Sequence, residues 1–201
     1  FGRVCLTWLT FIPVMFFLKK PFKISPKGLV AALFGAMLLV LYNEMFFTGL
    51  IHGLAGAGGI LVTTLVPILT FALGCIFTLK APSAKDSVGL LLGIIGAGII
   101  MEIWKTDMHL LFKSGNAYFL IAAATWACLT HTSKRANKYS SAFTFSFYLF
   151  MFTSLFVMVP IYMKGMTITM PSDIMFVSNI LLIAVGATTY GTTIYFVATN
   201  T

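Results

Sequence analysis

The chain has 201 residues, of which 59% are hydrophobic and only 9% are charged, and its mean hydropathy is +0.99. A soluble domain carries about 25% charged residues, so this composition excludes an ordinary water-soluble globular protein. The formal net charge of +8 reflects a shortage of acids, and we expect no nucleic-acid partner. Cys5, Cys75 and Cys128 lie singly in apolar segments, which predicts packing roles, no disulfide framework, no metal site and no cofactor.

Seven apolar segments follow one another along the chain. They run from Val4 to Leu18, Gly28 to Ile51, Ala55 to Leu79, Val88 to Trp104, Ala117 to Thr132, Ala142 to Met163 and Ile174 to Ala198. Several have about 20 residues or more, enough at 1.5 Å per residue for a hydrocarbon core of roughly 30 Å, whereas the first and fifth are short and need tilt. Because a helix satisfies its own backbone in lipid, the pattern predicts an all-α, polytopic transmembrane helix bundle.

Basic residues concentrate in every second gap between these segments. Those gaps contain Lys19, Lys20, Lys23, Lys27, Lys80, Lys85, Lys134, Arg135 and Lys138, nine of the 13 basic residues. The positive-inside rule places these gaps in the cytoplasm, so the first segment runs from outside to inside. Membrane lipids with anionic headgroups are the expected neighbours of the first cluster. The lysine-rich interior and the 20 phenylalanines favour a multi-pass protein of a bacterial inner (plasma) membrane.

The chain begins at Phe1 without a methionine and stops at Thr201, directly after an apolar segment. Both ends look cut, and we expect the chain to be part of a longer protein. No basic n-region with a cleavage site precedes the first segment, so we interpret that segment as a span and not as a signal peptide.

The third segment has small residues, an apolar run, a proline and a second apolar run between Gly58 and Leu73. This pattern resembles the fourth helix of the EamA-type branch of the drug/metabolite transporter superfamily. Three more stretches are similar to that family in order and spacing. Ser87 to Gly98 resembles its fifth helix, Gly115 to Ala127 with the pair Lys134-Arg135 resembles the start of its second half, and Phe1 to Val4 resembles the opening of its second helix.

The resemblance implies that the seven segments correspond to spans two to eight of ten, in two inverted five-helix repeats. Residues 1–104 would form the end of the first EamA-type repeat, with spans two to five, and residues 115–201 the start of the second, with spans six to eight. The second and seventh segments would be counterparts, and both lead into Gly-Ala, at Gly35-Ala36 and Gly186-Ala187. An odd number of spans between equivalent helices is what inversion requires.

The implied function is secondary active transport of small metabolites, such as amino acids, their derivatives or amphiphilic drugs, by alternating access and in the export direction. The implied partners are the small-molecule substrate, membrane lipids, protons and a second copy in a homodimer. A proton or exchange gradient would supply the energy, because the chain has no phosphate-cradling loop of the Walker type. The family often has a glutamate after its fourth helix; here Asp86 either takes that role or caps the next helix, and we favour the cap.

Glu44 is the acidic residue that lies well inside an apolar segment. Burying a carboxylate in the membrane is costly unless it is protonated, paired or hydrated, so Glu44 is a candidate for proton coupling and substrate binding. Tyr42 and Asn43 would complete a polar patch beside it. The alternatives are that the second segment ends early and leaves Glu44 solvated at the outer interface, or that Glu44 forms a structural pair.

The seventh segment carries an unusual number of hydroxyl groups. They belong to Thr188, Thr189, Tyr190, Thr192, Thr193 and Tyr195. Thr189, Thr192 and Thr193 share a helix face by their spacing. These groups either line a wet central cavity, with Thr189, Tyr190 and Thr193 binding substrate, or join helices and bond to backbone carbonyls.

Pro67 lies in the middle of the third segment, where it removes a backbone hydrogen bond and either acts as a hinge or forms a purely structural kink. The bend would free a carbonyl near Thr64, which makes Thr64 a substrate-binding candidate. Trp126 and Tyr148 either form aromatic walls for a substrate or serve as packing and interfacial anchors. His131, beside a basic pair, is interpreted as a lipid-headgroup contact.

Other classes of protein fit the residues less well. An intramembrane acyl or glycosyl transferase needs convergent acids and histidines, and the chain has five acids, mostly at segment ends, so we expect no enzyme and no catalytic residues. A retinal-binding receptor needs a lysine in its last helix, which the seventh segment does not contain. A non-transporting scaffold or assembly subunit stays as an alternative, although a scaffold needs no polar helix faces.

Overall fold

The computed structural model describes residues 2–53, 55–78, 83–100, 115, 117–163 and 173–198. In this part of the chain the regular structure is entirely helical, which confirms the all-α prediction. The helices are α1 (Gly2–Phe17), α2 (Pro26–His52), α3 (Ala55–Thr78), α4 (Ala84–Ile100), α5 (Ala117–Ala136), α6 (Ala142–Met163) and α7 (Ile174–Ala198). Lys80 and the predicted end of the fourth segment at Trp104 lie outside the described residues.

Side-chain caps explain where several helices begin. Ser25 precedes α2, and its Oγ accepts a hydrogen bond of 3.1 Å from the backbone N–H of Gly28. Pro26 is the first residue of α2, a position that proline favours because its missing N–H has no helical partner there. The α2 helix therefore begins two residues before the predicted Gly28. At α7, Asp173 accepts a bond of 2.9 Å from the N–H of Met175, which fits the predicted start at Ile174.

Asp86 lies in the first turn of α4 and takes part in its cap. The hydroxyl of Ser83 accepts a bond of 3.2 Å from the N–H of Asp86 and donates to the carboxylate of the same residue. A negative charge is also favourable near the N-terminal end of the helix dipole. The prediction favoured Asp86 itself as the cap; the structure makes Ser83 the N-cap residue, and Asp86 supports it by accepting from the Ser83 hydroxyl.

Three helices are long and apolar enough to cross a membrane, judged by length and composition. They are Pro26–His52, Ala142–Val159 within α6, and Ile174–Ala198. Two shorter apolar stretches are Gly2–Phe17 and Leu61–Phe77. Large apolar side chains stay exposed along the helices, for example Ile51, Tyr162 and Ile174. Extended apolar surface of this kind is typical of contact with lipid, and the chain has the features of an integral membrane protein.

The chain packs as two compact units. Unit one contains Phe1–Val40 and Thr132–Thr201, and unit two contains Leu41–His131. The boundaries fall inside α2 and α5, so each of these helices contributes to both units. The two predicted repeats, residues 1–104 and 115–201, are implied by the family resemblance, and this division stays a prediction.

Unit one has an aromatic core in which α1, α6 and α7 meet. The ring of Phe11 stacks on that of Phe150 with centroids 5.7 Å apart. Phe145 meets Phe196 edge to face, also at 5.7 Å. All four side chains are buried. Offset and edge-to-face pairs of this kind add to the packing energy, so they fix how the three helices lie against one another.

Unit two is centred on the buried ring of Phe119 in α5. Val62 and Val66 of α3 pack in the same cluster. Gly49 of α2 and Gly58 of α3 both border the Phe119 ring so closely that a Cβ atom at either position would collide with it. The two glycines therefore leave the space that the ring fills, which is the role that small residues have between membrane helices.

Candidate functional site

Threonine side chains from α1 and α7 meet inside unit one. Thr7, which is buried, and Thr10, which is half-buried, lie on successive turns of α1. On α7, four threonines are buried on one face: Thr188, Thr189, Thr192 and Thr193. The prediction that Thr189, Thr192 and Thr193 share a face is confirmed.

The hydroxyls of Thr10 and Thr189 form the centre of this group, with their oxygens 2.6 Å apart. The hydroxyl of Thr10 is also placed to donate to the carbonyl of Thr7, at 2.8 Å. The hydroxyl of Thr189 is placed to donate to the carbonyl of Ala184, at 2.9 Å. Thr7 in turn donates to the carbonyl of Arg3 at 2.8 Å and lies 3.4 Å from that of Ala184. We call the oxygens of Thr7, Thr10, Ala184 and Thr189 the hydroxyl cluster.

The hydroxyl cluster has fewer protons than contacts. Thr10 and Thr189 bring one hydroxyl proton each. Three contacts would use them: the two bonds to the carbonyls of Thr7 and Ala184, and the bond between the hydroxyls. One of the three therefore lacks a hydrogen in every arrangement of the two protons. The cluster has acceptor capacity to spare, and a ligand that donates N–H or O–H groups would satisfy it.

The middle of α7 departs from α-helical geometry. Residues Ile183–Thr192 form a π-helix, with α-helical residues on both sides. The hydroxyls of Thr188 and Thr189 follow the same spacing, since each donates to a carbonyl five residues earlier, that of Ile183 at 3.0 Å and that of Ala184 at 2.9 Å. π-Helical turns are rare and occur frequently at functional sites. The backbone distortion and the hydroxyl cluster thus coincide in α7.

Five further polar atoms of unit one are buried with no hydrogen-bond partner among the described residues. Ser133 Oγ and Asn137 Oδ1 lie at the end of α5 and in the turn after it, and the others are Nε1 of Trp8 in α1, Oγ of Ser146 in α6 and Oγ1 of Thr193 in α7. Leaving a buried donor or acceptor without a partner costs about 1–3 kcal/mol, so such groups require an explanation. Three of the five come from the helices that meet in the core of unit one, one each from α1, α6 and α7.

The remaining predicted site residues of unit one lie elsewhere. Tyr190 is 68% exposed, away from the buried face that carries Thr189 and Thr193. The hydroxyl of Tyr148 donates to the carbonyl of Phe22 at 3.0 Å, so it holds the linker between α1 and α2. Neither tyrosine forms a hydrogen bond with the hydroxyl cluster.

In unit two the structure brings Tyr42 and Trp126 together. Their rings lie 4.7 Å apart, and Phe46 stacks on Tyr42 at 5.7 Å. Both residues pack against the cluster around Phe119, which favours the packing interpretation of Trp126. Asn43 and Thr64 are half-buried in the same unit.

Glu44 does not join this aromatic group, because its side chain is exposed on α2. The helix continues past it to His52, so the second segment does not end early, although the exposure of Glu44 agrees with the solvated side chain of that alternative. Helical spacing puts Glu44 in line with exposed Met37, Leu41 and Ile51. The acidic group therefore interrupts an apolar exposed stripe.

The α3 helix continues through Pro67 from Ala55 to Thr78. Close to the proline, Nε2 of His131 lies 2.8 Å from the carbonyl oxygen of Thr70, and the His131 ring meets the edge of Phe77. The interpretation of His131 as a lipid-headgroup contact is wrong, because the ring is used between α5 and α3. Lys134 and Arg135, which follow His131 in the sequence, take no part in this contact, and they were the reason for the wrong prediction.

Among the described residues, no three His, Cys, Asp or Glu side chains gather closely enough to hold a metal ion. No family model, no curated protein and no solved structure matches the chain. The hydroxyl cluster, together with the helices that form it, is the candidate functional site.

Proposed function

We propose that the protein is a secondary active transporter that moves small metabolites across the membrane by alternating access, with its substrate site at the hydroxyl cluster of α1 and α7. In the same proposal the helices are seven spans of ten in inverted repeats, as the resemblance to EamA-type transporters implies. The observation that carries the proposal is the pair of hydroxyls of Thr10 and Thr189, which joins α1 to α7 at the π-helical stretch. Their oxygens keep lone pairs that could accept a hydrogen bond from a substrate.

The position of the cluster along α7 supports this proposal. The π-helical stretch Ile183–Thr192 occupies the middle of a helix that is long enough to cross a membrane. Transporters commonly bind substrate near the bilayer midplane, at helices whose regular hydrogen bonding is interrupted. Irregular backbone at that depth is tolerated where it is buried in protein or lines a cavity. The carbonyl of Ala184, which takes part in the cluster, belongs to this interrupted backbone.

The chemistry of the cluster favours solutes that donate hydrogen bonds. The hydroxyl and carbonyl oxygens accept from an ammonium, an amide N–H or a hydroxyl, and the cluster contains no carboxylate. Amino acids and their derivatives, proposed above from the family resemblance, carry such donors. Protons remain the proposed coupling ion, with Glu44 as the residue that would carry them.

The test is substrate uptake into proteoliposomes, using the protein together with any flanking spans encoded with it. Wild type is compared with Thr189→Val over a panel of amino acids and amines. Thr125→Val is the matched control, because Thr125 is also buried but bonds only to the carbonyls of Ile121 and Ala122 in its own helix. We expect Thr189→Val to lower uptake about tenfold, since one hydrogen bond to a charged ligand contributes roughly 1.5–3 kcal/mol, and we expect the control to keep wild-type uptake.

Two results would count against transport at this site. If both variants lose uptake equally, the loss reflects general damage to packing and the site lies elsewhere. If wild type moves no member of the panel under either a proton or an exchange gradient, the scaffold or assembly role becomes the better proposal.

A further inference from the structure

The linker between α1 and α2 is fastened to the beginning of α6. The hydroxyl of Thr144 donates to the carbonyl of Pro21 at 2.8 Å, and that of Tyr148 donates to the carbonyl of Phe22 at 3.0 Å. Ser25 donates to the carbonyl of Tyr139, in the turn between α5 and α6, at 3.3 Å. Three side-chain bonds therefore hold the extended linker beside this turn.

These three hydrogen bonds bring two basic stretches of the chain to the same end of unit one. The six exposed lysines there are Lys19, Lys20, Lys23, Lys27, Lys134 and Lys138. Two of them are held across the junction by aromatic rings. The ammonium of Lys20 lies 5.4 Å from the centroid of Phe143, and that of Lys27 lies 5.7 Å from the centroid of Tyr139. Contacts of this type stabilise a cation without neutralising it.

The described part of unit one offers these lysines no acidic neighbour at this end. Its acid, Asp173, caps the start of α7. The other end of α7 lies near the lysines, because Phe196 contacts Phe145 in the first turn of α6. Asp173 is 23 residues from Phe196 along the helix, which is roughly 35 Å at 1.5 Å per residue. At that distance its charge is screened from the lysines.

Apolar side chains border the basic end directly. Phe16 is 70% exposed and Phe17 is 87% exposed, and they precede Lys19 by three and two residues. Exposed aromatic rings next to ammonium groups match the two parts of an amphiphile, its acyl chains and its anionic headgroup. A free phosphate would use the lysines and leave the rings exposed.

We propose that the linker of α1 and α2, together with the turn of α5 and α6, binds an anionic phospholipid, with its headgroup among the six lysines and its acyl chains along Phe16 and Phe17. The site is preformed, because the three hydrogen bonds and two cation–aromatic contacts fix the linker before lipid arrives. The lysines therefore act as a specific headgroup site in addition to their part in setting the orientation of the chain.

The experiment measures lipid retained by the detergent-purified protein in native mass spectrometry, after addition of phosphatidylglycerol or phosphatidylcholine. The variant is Lys20→Gln/Lys23→Gln/Lys138→Gln, and Lys85→Gln is the control because Lys85 is exposed in another basic gap. We expect wild type to retain phosphatidylglycerol in preference to phosphatidylcholine. The triple variant should lose that preference by about tenfold or more, because each lysine near an anionic headgroup adds to its binding, while the control keeps it.

Further measurements distinguish lipid binding from phosphate binding and from loss of the fold. Inorganic phosphate at the lipid concentration should not displace phosphatidylglycerol, and Phe17→Ser should weaken lipid retention while all six lysines remain. Circular dichroism checks that each variant keeps its helix content, and any variant that does not is replaced by the corresponding single Lys→Gln changes. Equal retention of the two lipids by wild type, equal losses in the triple variant and the control, or full displacement by phosphate would each overturn the proposal. The readout does not depend on transport, so it stands or fails separately from the proposed function.

Discussion

Thr10 of α1 and Thr189 of α7 lie with their hydroxyl oxygens 2.6 Å apart, although 179 positions separate them in the chain. This contact joins two helices at a point where one of them is π-helical. The carbonyls of Thr7 and Ala184 compete for the same two hydroxyl protons.

Replacing both threonines by valine tests how strongly they are coupled. A double-mutant cycle of Thr10→Val and Thr189→Val should give an interaction energy of about 0.5–1 kcal/mol, since hydrogen bonds between membrane helices average roughly 0.6 kcal/mol. The measurement is the free energy of unfolding in mixed micelles with increasing denaturing detergent. Strict additivity of the two single changes would show that the hydroxyls do not bond to one another in the membrane.

The space around Phe119 predicts a clash at one of two neighbouring glycines and none at the other. Gly58→Ala should destabilise the protein by about 1–3 kcal/mol, because the added methyl collides with a fully buried ring. Gly59→Ala is the control, as nothing lies within 4 Å of a Cβ atom at that position. The same detergent titration measures both. Adding Phe119→Leu to Gly58→Ala should recover part of the loss, and a Gly58→Ala protein as stable as wild type would contradict this packing.

Glu44→Gln tests the proposed proton coupling. If Glu44 carries protons, the variant should keep substrate exchange but lose substrate-dependent proton flux, because the amide cannot titrate. Fluorescence of a pH-sensitive dye inside proteoliposomes reports the flux. Asp86→Asn is the control, since Asp86 serves the α4 cap. Unchanged proton flux in Glu44→Gln would assign the exposed carboxylate to another role.

Tyr148→Phe should loosen the linker between α1 and α2. The change removes the hydroxyl that donates to the carbonyl of Phe22 and keeps the ring. One such bond contributes about 1 kcal/mol, so local opening should increase roughly fivefold. Limited digestion with trypsin would detect this as faster cleavage after Lys23. Tyr162→Phe, at a tyrosine that is exposed in α6, should leave the cleavage rate unchanged.

The bounds of α6 and α7 were the most predictable part of the fold, whereas α4 begins four residues before the predicted Val88 and α5 ends four residues after the predicted Thr132. The predicted segments Ala142 to Met163 and Ile174 to Ala198 have the same bounds as α6 and α7. The reason is local, because Ser141 and Asp173 each accept a hydrogen bond from a backbone N–H in the first turn of their helices. Caps of this kind depend on residues only two or three positions apart.

The site was predicted only in part, because it depends on contacts between residues that are far apart in the sequence. The buried face with Thr189 and Thr193 follows from helical spacing, but the partner Thr10 comes from α1, where the sequence pattern indicated only a span. The exposure of Glu44 could not be predicted, because α2 is apolar around most of its circumference and no periodicity shows which face is buried. The π-helix has no periodic signal of its own, although paired threonines between Gly186 and Gly191 mark a stretch where side chains compete for carbonyls.

The π-helical stretch also decides which carbonyl each threonine of α7 uses. Its hydroxyls reach five residues back, so Thr188 bonds to Ile183 and Thr189 bonds to Ala184. In an α-helix a threonine bonds three or four residues back. A return of this stretch to α-helical spacing would therefore pass the carbonyl of Ala184 from Thr189 to Thr188, and it would change the acceptors beside Thr10 without moving a loop.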